Sequence, residues 1–209
     1  MISKEKKSFF VLFLFVLVLG CASVKPKIPV DQGSVEPGGT VARGEMRLKL
    51  LGTPLAVGTP LPSVKLVDAM TLKDVDLSQE SGKILFLSVV PSVDTRVCEE
   101  QTHSMGEEGN KLPADIRRIT ISRDTPFAQK RFAKEAKLTH LQYLSDYRQG
   151  DFGRFTGLLV EGSMLLSRSI VLVDRSGIVR YIQVVPDITH LPDMERAFQE
   201  AMELARKSN

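Results

Sequence analysis

The stretch that most constrains this chain is Ile84-Leu85-Phe86-Leu87-Ser88-Val89-Val90, closed by Pro91. A run this apolar, with almost no polar alternation, predicts a central strand covered on both faces, and so a sheet with layers on either side. Pro91 lacks an amide donor and ends the strand. The residues that follow, Ser92-Val93-Asp94-Thr95-Arg96-Val97-Cys98, lead into a predicted helix over about 97–108, with Asp94 or Thr95 as its cap. Cys98 then lies in or near the first turn. Unpaired backbone amides and the positive end of the helix dipole favour thiolate over thiol there.

The flanking segments predict the layers. Residues 46–50 and 54–57, separated by Leu51-Gly52-Thr53, read as an opening β-hairpin, and residues 64–67 and 72–75 as a second pair of short strands. Residues 116–122 predict a strand and residues 126–136 a helix with Pro126 in its first turn. Strand, helix, strand, helix in this order implies a parallel crossover. Residues 169–173 and 178–184 flank Asp174-Arg175-Ser176-Gly177, a hairpin signal, and Met194, Phe198, Ala201 and Ala205 recur at helical spacing in a last helix beginning near Pro192. The expected fold class is α/β: a thioredoxin-like mixed sheet flanked by helices, with an N-terminal β-hairpin.

The N-terminus reads as a targeting signal. Lys4, Lys6 and Lys7 precede an apolar run over 9–19, shorter than the roughly 20 residues a membrane-spanning helix needs. Val18-Leu19-Gly20-Cys21 follows, and the whole resembles a bacterial lipoprotein signal, in which the cysteine becomes the lipidated first residue. An ordinary signal peptide or a short uncleaved anchor is the alternative. Residues 22–44 hold Pro26, Pro29, Pro37, Gly33, Gly38, Gly39 and Gly44 and no aromatic residue, a composition that reads as a flexible tether. The expected organisation is a signal peptide over 1–20, a lipid-anchored tether over 21–44 and one folded domain over 45–209. The resemblance implies membrane attachment through Cys21, in the bacterial cell envelope outside the cytoplasm, and at the outer membrane in a Gram-negative organism.

Composition excludes some partners. The 209 residues carry a formal net charge of +3, which falls to near neutrality once the lysine-rich start is set aside, so there is no electrostatic footprint for nucleic acid. His103, His140 and His190 share no metal-ligand spacing with one another or with Cys98, and there is no Cys-x-x-Cys pair. No metal or cofactor is expected.

Pro91, Thr95 and Cys98 stand at spacings four and three across the strand-to-helix junction. That pattern resembles the peroxiredoxins, and more closely the thiol peroxidases, the atypical two-cysteine peroxiredoxins. Leu51-Gly52-Thr53-Pro54, the segment Ile121-Ser122-Arg123-Asp124-Thr125-Pro126-Phe127-Ala128-Gln129, and Arg168 before Ile170-Val171-Leu172-Val173-Asp174 fit the same group in order. The resemblance implies that Cys98 attacks a hydroperoxide and becomes a sulfenic acid, that Thr95 orients thiolate and peroxide, that Pro91 shields the sulfur, and that Arg168 folds back over Cys98. It also implies a homodimer formed around the active-site loops. One departure matters. Where the thiol peroxidases carry a resolving cysteine, this chain has Ala133, and with Cys21 at the anchor Cys98 has no internal partner. The expected enzyme is a one-cysteine thiol peroxidase whose sulfenic acid is reduced by an external thiol, either a thioredoxin-like protein or a low-molecular-weight thiol. The alternative is a non-turnover redox sensor or a surface lipoprotein that binds a partner.

Overall fold

The computed structural model describes residues 26–80, 82–138 and 140–207. The expected signal segment 1–20 and Cys21 lie outside them. Five short strands come first: β1 (Val30–Asp31), β2 (Thr40–Arg43), β3 (Met46–Leu51), β4 (Lys65–Asp68) and β5 (Asp74–Asp76). The crossover unit follows as β6 (Ile84–Val89), α1 (Arg96–Glu107), β7 (Ile116–Ser122), α2 (Pro126–Ala136) and β8 (Leu141–Ser145). The chain closes with α3 (Asp151–Thr156), β9 (Leu159–Val160), β10 (Ser169–Val173), β11 (Val179–Val184), β12 (Leu191–Pro192) and α4 (Met194–Lys207).

The main sheet has seven strands in the order β11-β10-β6-β7-β8-β4-β5. β6, β7 and β8 are parallel, while β10 and β4 close them antiparallel on either side. β6 sits near the middle and is buried at every position, as its apolar run predicts. Its side chains alternate between two cores. Ile84 and Phe86 pack with Met105 of α1 and with Ala197, Phe198 and Ala201 of α4. Leu85, Leu87 and Val89 face Val41, Leu50, Phe152 and Val160, which come from the small elements on the other side. The Phe86 and Phe198 rings meet at 5.4 Å, a contact whose truncation to alanine costs about 3–5 kcal/mol.

Two expectations from the N-terminal third need correction. Residues 54–57 are not a strand; the partner of β3 is β2, paired from Thr40↔Lys49 to Arg43↔Met46, and β9 completes a three-stranded sheet. The tether expected over 21–44 therefore does not hold for its described part. Val41 is fully buried and Ala42 nearly so, and β1 pairs in parallel with β12. The glycines and prolines that suggested a loose segment shape turns between short strands instead, and burial of Val41 in the core, with Ala42 covered on the other face, docks them. Gly52 shows how tight the packing is. It holds φ +111°, and a Cβ there would stand 2.0 Å from the Arg154 carbonyl oxygen. Among the described residues no helix is long and apolar enough to cross a membrane.

Candidate active site

β6 delivers the chain to Pro91 in the middle of the sheet, and the Val90 amide is still tied to the Ile121 carbonyl of β7 at 2.9 Å. The turn that follows is held by Asp124. Its carboxylate accepts from the Ser92 hydroxyl and the Val93 amide, both at 2.8 Å, and from the Ser122 hydroxyl at 2.6 Å. This carboxylate joins the β7–α2 loop to the Pro91–Cys98 loop. Thr95 then occupies the N-cap position of α1 in extended conformation, but its side chain does not cap the helix. The hydroxyl donates instead to the Ser92 carbonyl at 3.3 Å. Cys98 follows as the third residue of α1, in the turn whose amides lack intrahelical acceptors.

Arg168 reaches Cys98 from 70 residues further along the chain. Its side chain lies just before β10, which pairs with β6 from Ser169↔Val89, so the sheet register sets it beside the end of β6. Three donors of the guanidinium are spent. Nη2 donates to Cys98 Sγ at 3.3 Å, Nη1 to Gln101 Oε1 at 2.7 Å, and Nε to the Ile188 carbonyl at 3.1 Å. Gln101, one turn after Cys98 on the inner face of α1, is anchored in turn by donating to Ser88 Oγ at 2.8 Å. Arg168 is 2% exposed, and among the described residues no carboxylate pairs with it. Burying an unpaired charge costs several kcal/mol. Of its three acceptors, only the Cys98 sulfur can carry a full negative charge.

The other side of Cys98 is apolar. Its sulfur is fully buried in a cluster with Ala69, Val90, Val93, Phe132, Ala133 and Tyr143. The Phe132 and Tyr143 rings meet edge to face at 6.1 Å. The Tyr143 hydroxyl finds no protein partner among the described residues, and burial pushes its pKa up to about 12.

The four predicted site residues therefore divide. Cys98 and Arg168 are in direct contact. Pro91 is half-buried at the end of the strand, and Thr95 is exposed at the helix start, with no hydrogen bond between its hydroxyl and Sγ. Gln101 and Asp124 complete the arrangement and had no role in the sequence reading. The signal for Gln101 was a polar residue three positions after the cysteine on a helix, which places it on the same face. His103 pairs with Glu107 and His190 with Asp31, both away from the sulfur, and among the described residues no group of three His, Cys, Asp or Glu side chains could hold a metal ion.

The family model described as Redoxin matches residues 56–198. The chain belongs to the redoxin family. It is 37% identical over 154 residues to a thiol peroxidase of Halalkalibacterium halodurans, covering 74% of this chain and 92% of that one. It is 34% identical over 157 residues to a thiol peroxidase of Bacillus subtilis, covering 75% and 93%. Among solved structures, a peroxiredoxin-like protein from Aquifex aeolicus superposes with a TM-score of 0.74 at 30% identity, covering 79% of this chain and 96% of that one. A thiol peroxidase from Chromobacterium violaceum superposes at 0.69 with 23% identity over 82% and 99%, a likeness of fold. The thioredoxin-like class expected of this redoxin chain is the one its neighbours share.

Proposed function

We propose that this redoxin is a thiol-dependent peroxidase working through Cys98 alone. The observation that carries the reading is the buried guanidinium of Arg168 donating to Cys98 Sγ with no carboxylate of its own. A fixed positive charge there is matched to an anionic sulfur and to the charge that develops on a hydroperoxide oxygen as the O–O bond breaks. The Cys98 thiolate attacks the terminal oxygen of ROOH, the sulfur is oxidised to sulfenic acid, and the leaving alkoxide takes a proton to become ROH. One external thiol then condenses with the sulfenic acid to give a mixed disulfide and water, and a second thiol releases the reduced Cys98 and a disulfide of the reductant. Ala133 lies in the same apolar cluster as Cys98. The position that would carry a resolving thiol is thus beside the sulfur and empty of one. Pro91 shields the sulfur and Thr95 orients the incoming peroxide once it displaces the loop over the buried Sγ. The relatives are thiol peroxidases, which favours turnover over a non-turnover sensor.

The same reading includes a homodimer and a lipid anchor. Phe127, Tyr147, Phe155 and Leu165 are exposed on segments that leave the active-site end of the sheet, which supports association through that end. The lysine-flanked apolar run and Val18-Leu19-Gly20-Cys21 support lipidation of Cys21 and residence in the cell envelope. Because residues 30–43 are folded onto the domain, only the four residues 22–25 separate Cys21 from Pro26, a reach of about 18 Å at full extension. The Pro26 carbonyl accepts from Arg96 in the first turn of α1, so the anchor would hold the Cys98 end of the domain close to the membrane.

The test is peroxide consumption with a thiol donor. The wild-type chain turns over hydrogen peroxide or an organic hydroperoxide, and Cys98→Ser abolishes it. A wild type that is inactive with both protein and small-molecule thiols would sink the reading.

A further inference from the structure

The geometry points to a positioning role for residues 26–44: they are a strap that sets Arg168 on Cys98. The inference rests on the peroxidase reading of the site. Arg168 is held by three acceptors, and the Ile188 carbonyl is the one that does not belong to α1. Ile188 lies in the loop 185–190 between β11 and β12, which has no regular structure of its own to fix it. The Val185 amide ties one end of it to the Arg168 carbonyl at 2.9 Å, and Thr189 and His190 turn back on Asp187; the stretch that carries Ile188 is fastened to the N-terminal segment. The Ile188 amide donates to the Ala42 carbonyl at 2.9 Å and the Ala42 amide to the Pro186 carbonyl at 2.7 Å, so β2 grips the loop from both sides of Asp187. The Asp187 carboxylate accepts from the Gly44 amide at 3.1 Å, and its own amide donates to Asp31 Oδ2 at 3.2 Å. Asp31 Oδ1 also lies 3.1 Å from His190 Nδ1, and the Leu191 amide donates to the Pro29 carbonyl at 2.8 Å.

The path is therefore continuous: strap backbone and Asp31, then the loop, then the Ile188 carbonyl, then Arg168 Nε, then Sγ. A guanidinium is planar, so fixing Nε fixes the plane in which the two terminal nitrogens meet Gln101 and Cys98. Loss of the strap contact leaves the charge in place but frees its orientation, and a transition state held by directed hydrogen bonds is sensitive to small misplacements. Asp31 and Asp187 are accordingly positioning residues that touch neither sulfur nor peroxide.

A double-mutant cycle in the full chain tests this, reading the second-order rate of Cys98 oxidation by hydrogen peroxide in a single turnover. Asp31→Ala is expected to slow that rate about three- to tenfold, the scale of one lost hydrogen bond. In an Arg168→Ala background it should cause no further loss, because the group it positions is gone. Equal losses in both backgrounds, or no loss in either, would overturn the strap role in favour of general stability or none. An Arg168→Ala chain that reacts at the wild-type rate would instead overturn the reading of the site, and the strap with it. Asp31→Leu, which keeps the branched shape of the side chain and removes both acceptor oxygens, carries the same cycle should Asp31→Ala fail to fold.

Discussion

The two walls around Cys98 are built from opposite chemistry. On one side stand Arg168, Gln101 and Ser88, all buried, linked in a row by hydrogen bonds of 2.7 and 2.8 Å. On the other stand Val90, Val93, Phe132, Ala133 and Tyr143, with no ionised group among them. The polar wall supplies charge for the step that makes sulfenic acid. The apolar wall offers Cys98 no thiol, only the methyl group of Ala133. Activation of the sulfur is thus built into the fold, while its resolution is left to another molecule. The two halves of a peroxidase cycle are separable in structure.

The largest effect should come from the polar wall. Arg168→Ala removes the donor aimed at the reacting atoms and is expected to lower the peroxide rate about 10²–10³-fold, the range seen when one preorganised donor to developing charge is deleted. Arg168→Lys keeps the charge but lacks the planar fork that serves Gln101, Ile188 and Sγ together, so it should recover only part of that loss. Stopped-flow oxidation of Cys98 measures both. A lysine variant at the wild-type rate would show that charge alone suffices and that the geometry of the wall is incidental.

The same contrast separates what was legible in the sequence from what was not. β6, β7, α2, β10 and β11 were readable because long apolar runs and turn signals carry their own evidence: Pro126 begins α2, and Asp174-Arg175-Ser176-Gly177 turns β10 into β11. α3 was not, since six residues are too few for a period. It is bounded by left-handed Gly150 and Gly157 and held by the Asp146 carboxylate, which accepts from the Phe152 and Gly153 amides. β2 was hidden for another reason. Its two buried residues, Val41 and Ala42, were averaged into a glycine- and proline-rich stretch that reads as loose. At the site, the reactive position of Cys98 followed from local signals. Arg168 entered only through resemblance, because no local pattern tells a strand-edge arginine that folds inward from one that stays in water. Gln101 and Asp124 act through partners that only the tertiary structure brings near.

Changing the apolar wall should alter the second half of the cycle and spare the first. Ala133→Cys places a thiol in the cluster that already contains Cys98. After one equivalent of peroxide, both thiols are expected to vanish together as an intrachain disulfide, where wild type leaves a sulfenic acid that excess peroxide drives to sulfinic acid. The bridge needs Cα atoms about 4.4–6.8 Å apart and Cβ atoms that face one another. Intact mass before and after reduction distinguishes the products. Sulfinic acid forming as readily in the variant as in wild type would mean that the cluster is too rigid for a thiol at 133 to resolve the sulfur.

The smallest effect is also on the apolar wall. Tyr143 buries a hydroxyl that no described protein group accepts or donates to, and removing it in Tyr143→Phe should stabilise the fold by about 1 kcal/mol at neutral pH, since the phenyl ring keeps its edge contact with Phe132. The pH dependence has a definite sign. Burial raises the Tyr143 phenol from 10.0 to about 12, so the folded state holds its proton where the unfolded chain releases it. Its contribution is fully present below the unfolded value and is lost as pH rises from 10.0 through about 12. Tyr181 is also raised by burial and shares this alkaline limb. Urea unfolding between neutral and alkaline pH should therefore show a shallower loss of stability in Tyr143→Phe, with the remainder due to Tyr181. An unchanged slope would place the Tyr143 hydroxyl in contact with solvent, and the wall beside Cys98 would be wetter than its lining implies.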